Sequence, residues 1–227
     1  MSEDKQVVDI QAELRKQVAT LRETVAPPSG YVISTKAKQF TLPDGRQSAG
    51  PLDCIILDHV SANLYYTGAY NPTQPSQPDC FAIGRIVNDM KASENAPKRQ
   101  DENGCAVCAF NQWGSAPSGG KGKACKNTRR LLVVPHDIVD DKAQQYILNV
   151  SPSGIKHYDK YIDMLASSER HPIQVVTSIS FDPNEAYPSL RFAAKEPLDE
   201  ERLGVMWKLR ELGESLLFQE PVSEQAA

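Results

Sequence analysis

The sequence predicts a mainly β fold of the α+β class, and three patterns carry that reading. Short apolar runs rich in Val, Ile, Leu and Tyr recur between turn-forming residues. Longer stretches near both ends and in the second half repeat their apolar residues at helical spacing. Between residues 71 and 128 a proline- and glycine-rich excursion follows neither period. The 227 residues are 40% hydrophobic with formal net charge -4, which suits a folded domain and excludes a disordered chain. A chain of this size buries roughly 70% of the surface its unfolded form exposes, so disulfides are not needed for stability. No run approaches 18 apolar residues, and the first residues lack a basic segment followed by an apolar one. Neither a transmembrane helix nor a secretory signal is expected, and the cytosol is the expected compartment.

Taken in order, residues 3–25 read as a helix, because Val7, Ile10, Leu14, Val18, Leu21 and Val25 recur at steps of three and four. Pro27 and Pro28 end it. Its apolar seam serves either its own domain or a partner helix. Residues 31–36 and 38–42 are strand material, and Pro43-Asp44-Gly45 is a turn, since proline presets φ and glycine tolerates positive φ. Residues 52–66 form a second β-rich segment, and residues 129–134 and 145–150 are short strands. Ser151 or Ser153 can cap a helix running to about Ser168, with Ile155, Tyr158, Tyr161, Ile162 and Leu165 on one face. Residues 173–181 and 190–194 are strands joined by the Asp182-Pro183-Asn184-Glu185 turn, and a helix over residues 199–218 follows. A small barrel of five or six strands, interrupted by a helix in its second half, matches an OB-fold; another antiparallel α+β sheet is the competing architecture. The expected divisions are residues 1–28 (helix), 29–196 (barrel with the insertion at about 71–128) and 197–227 (helix and acidic tail).

A long excursion inside a compact domain needs something to staple it. Cys80, Cys105, Cys108 and Cys125 lie in it, separated by 24, two and 16 residues, while Cys54 sits alone in an apolar run. Four clustered cysteines in a reducing compartment point to a metal rather than to disulfides. Zinc suits four thiolates because it accepts tetrahedral sulfur ligands, and a closed cage of that kind is structural. A redox pair, an iron–sulfur cluster and four unliganded thiols stay open as alternatives.

Charge is segregated. From Asn103 to His136 there is no acidic residue, while Lys121, Lys123, Lys126, Arg129 and Arg130 are basic and Phe110 and Trp113 lie among them. Cations on a pliable loop beside aromatic rings suit a single-stranded nucleic acid, whose phosphates and bases they match. The plainer alternative is a solvated loop that balances the thiolates. Tyr65, Tyr66 and Tyr70, with Asn63 and Asn71, offer further stacking surfaces, although strand alternation sends Tyr65 and Tyr66 to opposite faces and at least one into a core. Gly114 and Gly119 have phosphate-loop spacing, but Gly120 stands where lysine is required. Glu211, Glu214, Glu220 and Glu224 make the C-terminal stretch acidic, suited to mimic nucleic acid in a basic groove, to recruit partner proteins, or simply to be solvated.

Catalysis finds no support. His59, His136, His157 and His171 are scattered and expected to be structural or at the surface. Asp53 and Asp58, five residues apart on a strand, are expected on opposite faces, and no hydrolase or deaminase signature is present.

The segments around Asn63–Tyr70, Cys80-Phe81-Ala82, Cys105-Ala106-Val107-Cys108, Asn111-Gln112-Trp113-Gly114-Ser115, Gly120–Lys126 and Arg129-Arg130-Leu131 resemble a widespread set of tailed-bacteriophage proteins. More distantly they are similar to the zinc-containing single-stranded DNA-binding proteins of T4-like phages. The resemblance covers about residues 36–195. It implies an OB-fold with a zinc subdomain beside the DNA cleft and an acidic tail that binds replication proteins. It also implies cooperative coating of exposed strands, in the cytoplasm of an infected bacterial host. Carried across, Cys80, Cys105, Cys108 and Cys125 match the zinc ligands, although that family has three cysteines and one histidine. The expected function is sequence-tolerant protection of single-stranded DNA in replication or recombination, without catalysis or membrane contact, with self-association through the N-terminal helix. A zinc-stabilised interaction or virion component that does not bind nucleic acid is the alternative.

Overall fold

In the computed structural model the described residues are 30–68, 76–100, 103–117, 119–137 and 143–221. The expected helix over residues 3–25, Tyr70 and Glu224 lie outside them. In chain order the strands are β1 (Val32–Ile33), β2 (Phe40–Thr41), β3 (Gln47–Ser48), β4 (Leu52–Tyr65), β5 (Cys80–Gly84), β6 (Lys126–Pro135) and β7 (Tyr146–Val150). Helix α1 (Pro152–Ser167) precedes β8 (Val175–Phe181) and β9 (Leu190–Pro197), and α2 (Glu200–Leu217) follows them.

Strand β4 organises the sheet. Its near-continuous apolar sequence is what a strand covered on both faces requires. One edge pairs antiparallel with β6 from Cys54 to Leu64; the other carries β8 at Leu52–Ile55 and β5 at Ser61–Tyr65. The sheet runs β1-β7-β6-β4-β8-β9, with β5 added to β4, while β2 and β3 form a separate hairpin. Gly45 at φ 89 closes that hairpin, as the Pro43-Asp44-Gly45 turn requires. The mainly β, α+β class therefore holds, with seven strands in one mixed sheet and two helices among the described residues. A closed barrel is not found among them: the path ends at β1 and β9, which do not pair with each other. Strand β5, inside the excursion expected to lack regular structure, is an addition that the open half-edge of β4 makes possible.

Each face of the sheet carries one helix. Alternation sends Cys54, Ile56, Leu131 and Val133 into one core, where Tyr158, Tyr161 and Leu165 of α1 meet them. Ile55, Leu57, Leu132 and Val134 pack on the other face with Met206, Leu209 and Leu217 of α2. Each such large side chain contributes about 1.5–3 kcal/mol on burial. Asp199 caps α2, accepting the Arg202 amide at 2.8 Å, an arrangement worth about 1 kcal/mol. Ser151 occupies the N-cap of α1 in extended geometry with Pro152 next, but its hydroxyl turns instead to Ser153 and the Pro188 carbonyl.

Between Ile56 and Asp58 the β4–β6 register shifts by one, leaving Leu57 as a β-bulge. The phase of the alternation changes there. Before the bulge odd residues face α2; after it even residues do. Asp58 therefore reaches Arg85 and Arg210, while His59 packs edge-on against Tyr158 of α1. This corrects the expectation that Asp53 and Asp58 face opposite sides: the extra residue turns both toward the α2 side. They still form no carboxylate pair, since Asp53 bonds Lys195 and Asp58 bonds the two arginines. No helix among the described residues is long and apolar enough to cross a membrane.

Candidate nucleic-acid interface and cysteine cluster

Strand register assembles the site. Tyr65 stands opposite Cys80 on β5, while Leu64 stands opposite Lys126 on β6, directly after Cys125. Cys80 and Cys125 thus arrive on either side of the end of β4. The intervening chain brings the other two thiols back. The Cys105 amide donates to the Met90 carbonyl at 2.8 Å, and the Cys125 amide to Phe110 at 2.8 Å. Asn111 and Gln112 tie down the Cys105–Cys108 knuckle: Asn111 Nδ2 donates to the Cys105 carbonyl at 2.7 Å, and Gln112 Nε2 to those of Ala106 and Cys108. Gly104 sits at φ 106, and a Cβ there would lie 3.3 Å from the Met90 carbonyl, so glycine is required at the entry to the knuckle.

All four cysteines line one cavity of about 20 Å³, walled by Tyr65, Phe81 and Phe110. None is in a disulfide. Burial, then the neighbouring Cys105, Cys108 and Cys80, pushes the Cys125 thiol up to about 12; burial also raises Cys80. As the side chains stand, no group of three or more His, Cys, Asp or Glu among the described residues forms a metal-holding cage. The donor set nevertheless fits a thiophilic cation: four sulfurs share an apolar recess in which thiolates would need a positive partner. Cys54 is fully buried in the core of the α1 side, and burial pushes its thiol up.

Below the cavity lies a polar cluster that sequence reasoning did not foresee. Asn127 Nδ2 donates to Asn63 Oδ1 and to Asn111 Oδ1, each at 2.8 Å, and Lys123 Nζ donates to Asn127 Oδ1 at 3.0 Å. Only the strand register, Asn63 opposite Asn127, makes these distant residues neighbours.

The residues singled out for nucleic acid divide into two groups. Trp113 is 78% exposed, with Lys123 Nζ 5.3 Å from its ring centroid. Tyr66 is half-buried, with Lys126 Nζ also 5.3 Å from its ring. Lys121 is exposed beside Gly119 and Gly120, both at positive φ. The other group faces inward or is engaged elsewhere. Tyr65 is 8% exposed and packs on Phe110 at 4.5 Å, so these two rings wall the cysteine cavity. Arg129 lies 3.6 Å from Asp159 of α1. Arg130 points to the α2 side, where Nη1 donates to the Leu217 and Gln219 carbonyls at 2.9 and 2.6 Å. Exposed Lys91 and Arg99 add positive charge to the insertion that the sequence reading passed over.

The histidines hold structural posts. Burial keeps His59 and His171 below the ordinary histidine range, and His171 Nδ1 accepts the Ile173 amide. His136 meets Arg202, and His157 lies 3.7 Å from Asp182. A cavity of about 330 Å³ at the opposite end of β4 is lined by Arg46, Asp53 and His136 among others. Its charged groups are paired: Arg46 with Asp44 and Asp137, and Asp53 with Lys195.

No protein-family model, curated protein or solved structure matches the chain.

Proposed function

We propose that this protein binds single-stranded DNA with little regard for sequence and protects exposed strands during phage DNA replication or recombination, without catalysis. The observation that carries the reading is the pair of lysine–aromatic contacts flanking Cys125: Lys123 on Trp113, and Lys126 on Tyr66. Each places a cation within reach of a phosphate beside a ring on which a base can stack. Stacking contributes about 1–3 kcal/mol per base and tolerates any sequence. The absence of acidic residues from Asn103 to His136 leaves that charge uncompensated in sequence. On this reading Cys80, Cys105, Cys108 and Cys125 would hold a structural zinc ion. Bound zinc supplies a cross-link between the ends of β5 and β6 and the knuckle, with no open position for a reacting water. The sheet would then be an OB-like scaffold in which long β4 shares both edges, opened at β1 and β9. The setting would be the cytoplasm of an infected host, and the part of the acidic C-terminal stretch not engaged through Glu214 by Arg85 or through Glu220 by Ser93 and Asn95 would be available to replication proteins.

The chain has two tryptophans, and the other, Trp207, is 49% exposed on α2. A Trp207→Phe variant therefore isolates Trp113. Titration with oligo-dT is expected to quench its fluorescence, with reversal by salt, and elemental analysis is expected to give one zinc per chain. An unchanged Trp113 signal at low salt refutes the binding reading. Exposed Trp207 and Leu212 on α2 favour the second reading, a zinc-stapled interaction or virion component. Light scattering showing a defined oligomer indifferent to oligonucleotide supports that alternative.

A further inference from the structure

The end of α2 does not simply run into solvent. Over five residues, 217–221, it is gripped from β6 and from both flanks of β5. Arg130 holds the Leu217 and Gln219 carbonyls, and the Arg85 guanidinium lies 5.5 Å from the Phe218 ring. Ser93 Oγ and Asn95 Nδ2 donate to the two oxygens of the Glu220 carboxylate, the latter at 2.7 Å, and Gln77 Nε2 donates to the Pro221 carbonyl at 3.0 Å.

The gripped turn is connected to the cysteine knuckle. Residues 93–96 fold back on the sheet through Ser93 N to Phe81 O at 2.8 Å and Ala96 N to Ser93 O at 3.1 Å. Just before them, Met90 accepts the Cys105 amide. A contact at Ser93 and Asn95 is therefore a few residues from the bond that seats the first cysteine of the knuckle.

We propose that residues 217–221 are a strap that fixes the cysteine-bearing insertion to the sheet, with Glu220 and Arg130 as positioning residues for the nucleic-acid surface. The effect on binding rests on the function proposed above; the strap itself does not. The strap reverses the sign expected of an acidic tail. If Glu220 competed with DNA for the lysines, its removal would tighten binding. Its partners are instead the neutral side chains of Ser93 and Asn95, so its removal loosens the platform that carries Trp113 and Lys123 and weakens binding, even though a negative charge has gone.

The test uses the full chain with Glu220→Ala and, from the other side of the contact, Asn95→Ala. Hydrogen exchange without nucleic acid is expected to be roughly five- to tenfold faster for amides between residues 90 and 112 in both variants, the change that loss of one ordinary, solvent-accessible hydrogen bond produces. Exchange in β7 and β8 is expected to stay unchanged, which separates strap release from general unfolding. Oligo-dT affinity is expected to fall by a similar factor. Unchanged exchange in both variants overturns the strap, as does tighter binding by Glu220→Ala with unaltered exchange. Faster exchange in a protein that binds no oligo-dT in any form upholds the strap and refutes the nucleic-acid reading instead.

Discussion

Salt dependence counts the cations that meet phosphate, and the side-chain placements make that count specific. Five basic residues cluster in sequence, but Arg130 is spent on the Leu217 and Gln219 carbonyls and Arg129 lies beside Asp159. Lys121, Lys123 and Lys126 remain; the hydrogen-bond partners of Lys123 are neutral asparagines, which leave its charge intact. At about -0.7 per phosphate on a single strand, three contacts give a slope of log affinity against log salt near -2, and five give about -3.5. Between 50 and 200 mM salt the affinity then falls about 20-fold for three contacts, against about 130-fold for five. Titrations of the Trp207→Phe protein with oligo-dT at four salt concentrations measure this directly. Lys126→Ala is expected to flatten the slope by about 0.7, whereas Arg130→Ala weakens binding at every salt concentration and leaves the slope alone. A slope near -3.5 that Arg130→Ala flattens would refute the assignment, and a slope of zero would refute phosphate contact altogether.

Other expectations concern stability and the metal. Gly154→Ala places a Cβ 2.9 Å from Val150 Cγ1 and 3.3 Å from the Leu190 amide nitrogen, so overpacking is expected to cost about 1–3 kcal/mol in urea melts. Gly204→Ala, with open space around it within α2, is expected to stabilise by up to about 1 kcal/mol. Burial holds His59 and His171 below 6.5, so the unfolded chain binds more protons just under that pH. Stability is expected to be full above pH 6.5 and to decline as pH falls below it; melts of His59→Gln across pH 8 to 5.5 should show a shallower decline. Cys108→Ser is expected to abolish bound zinc and speed tryptic cleavage at Lys121 and Lys123, while the far-UV signal of the sheet persists; retention of one zinc per chain would count against the ligand set.

Much of the sheet could be read from local pattern, because β4, β6, β7 and β8 are apolar runs that need both faces covered. Strand β5 could not. Cys80-Phe81-Ala82-Ile83-Gly84 lies in a proline- and glycine-rich excursion without periodicity, and it is a strand because β4 has an unoccupied half-edge beside it. The cysteines were legible by residue type, but their meeting in one cavity rests on the register of β5 and β6 against β4 and on the bonds that seat the knuckle. The asparagine cluster and the inward turn of Tyr65 depend on cross-strand register, which a single strand's sequence does not contain. Arg130 looked like a phosphate contact because basic residues usually serve the surface. Its real partners are carbonyls at a helix end some 87 residues along the chain. The Asp53 and Asp58 argument failed for a definite reason: counting by twos assumes an unbroken pleat, and Leu57 breaks it.

That single extra residue also sets a rule for how β4 can change. Its two halves are written in opposite phase, and Leu57 is the comma between them. Removing Leu57 would restore an unbroken pleat and turn nothing beyond it: Asp58 would follow Ile56 directly, still opposite Leu132 and still toward its arginines, and Asn63 and Tyr65 would keep their side. A one-residue deletion is therefore tolerable at the bulge itself, whereas one in the regularly paired stretches would turn part of the strand to the wrong face, so homologues that shorten β4 by a single residue should lose it here.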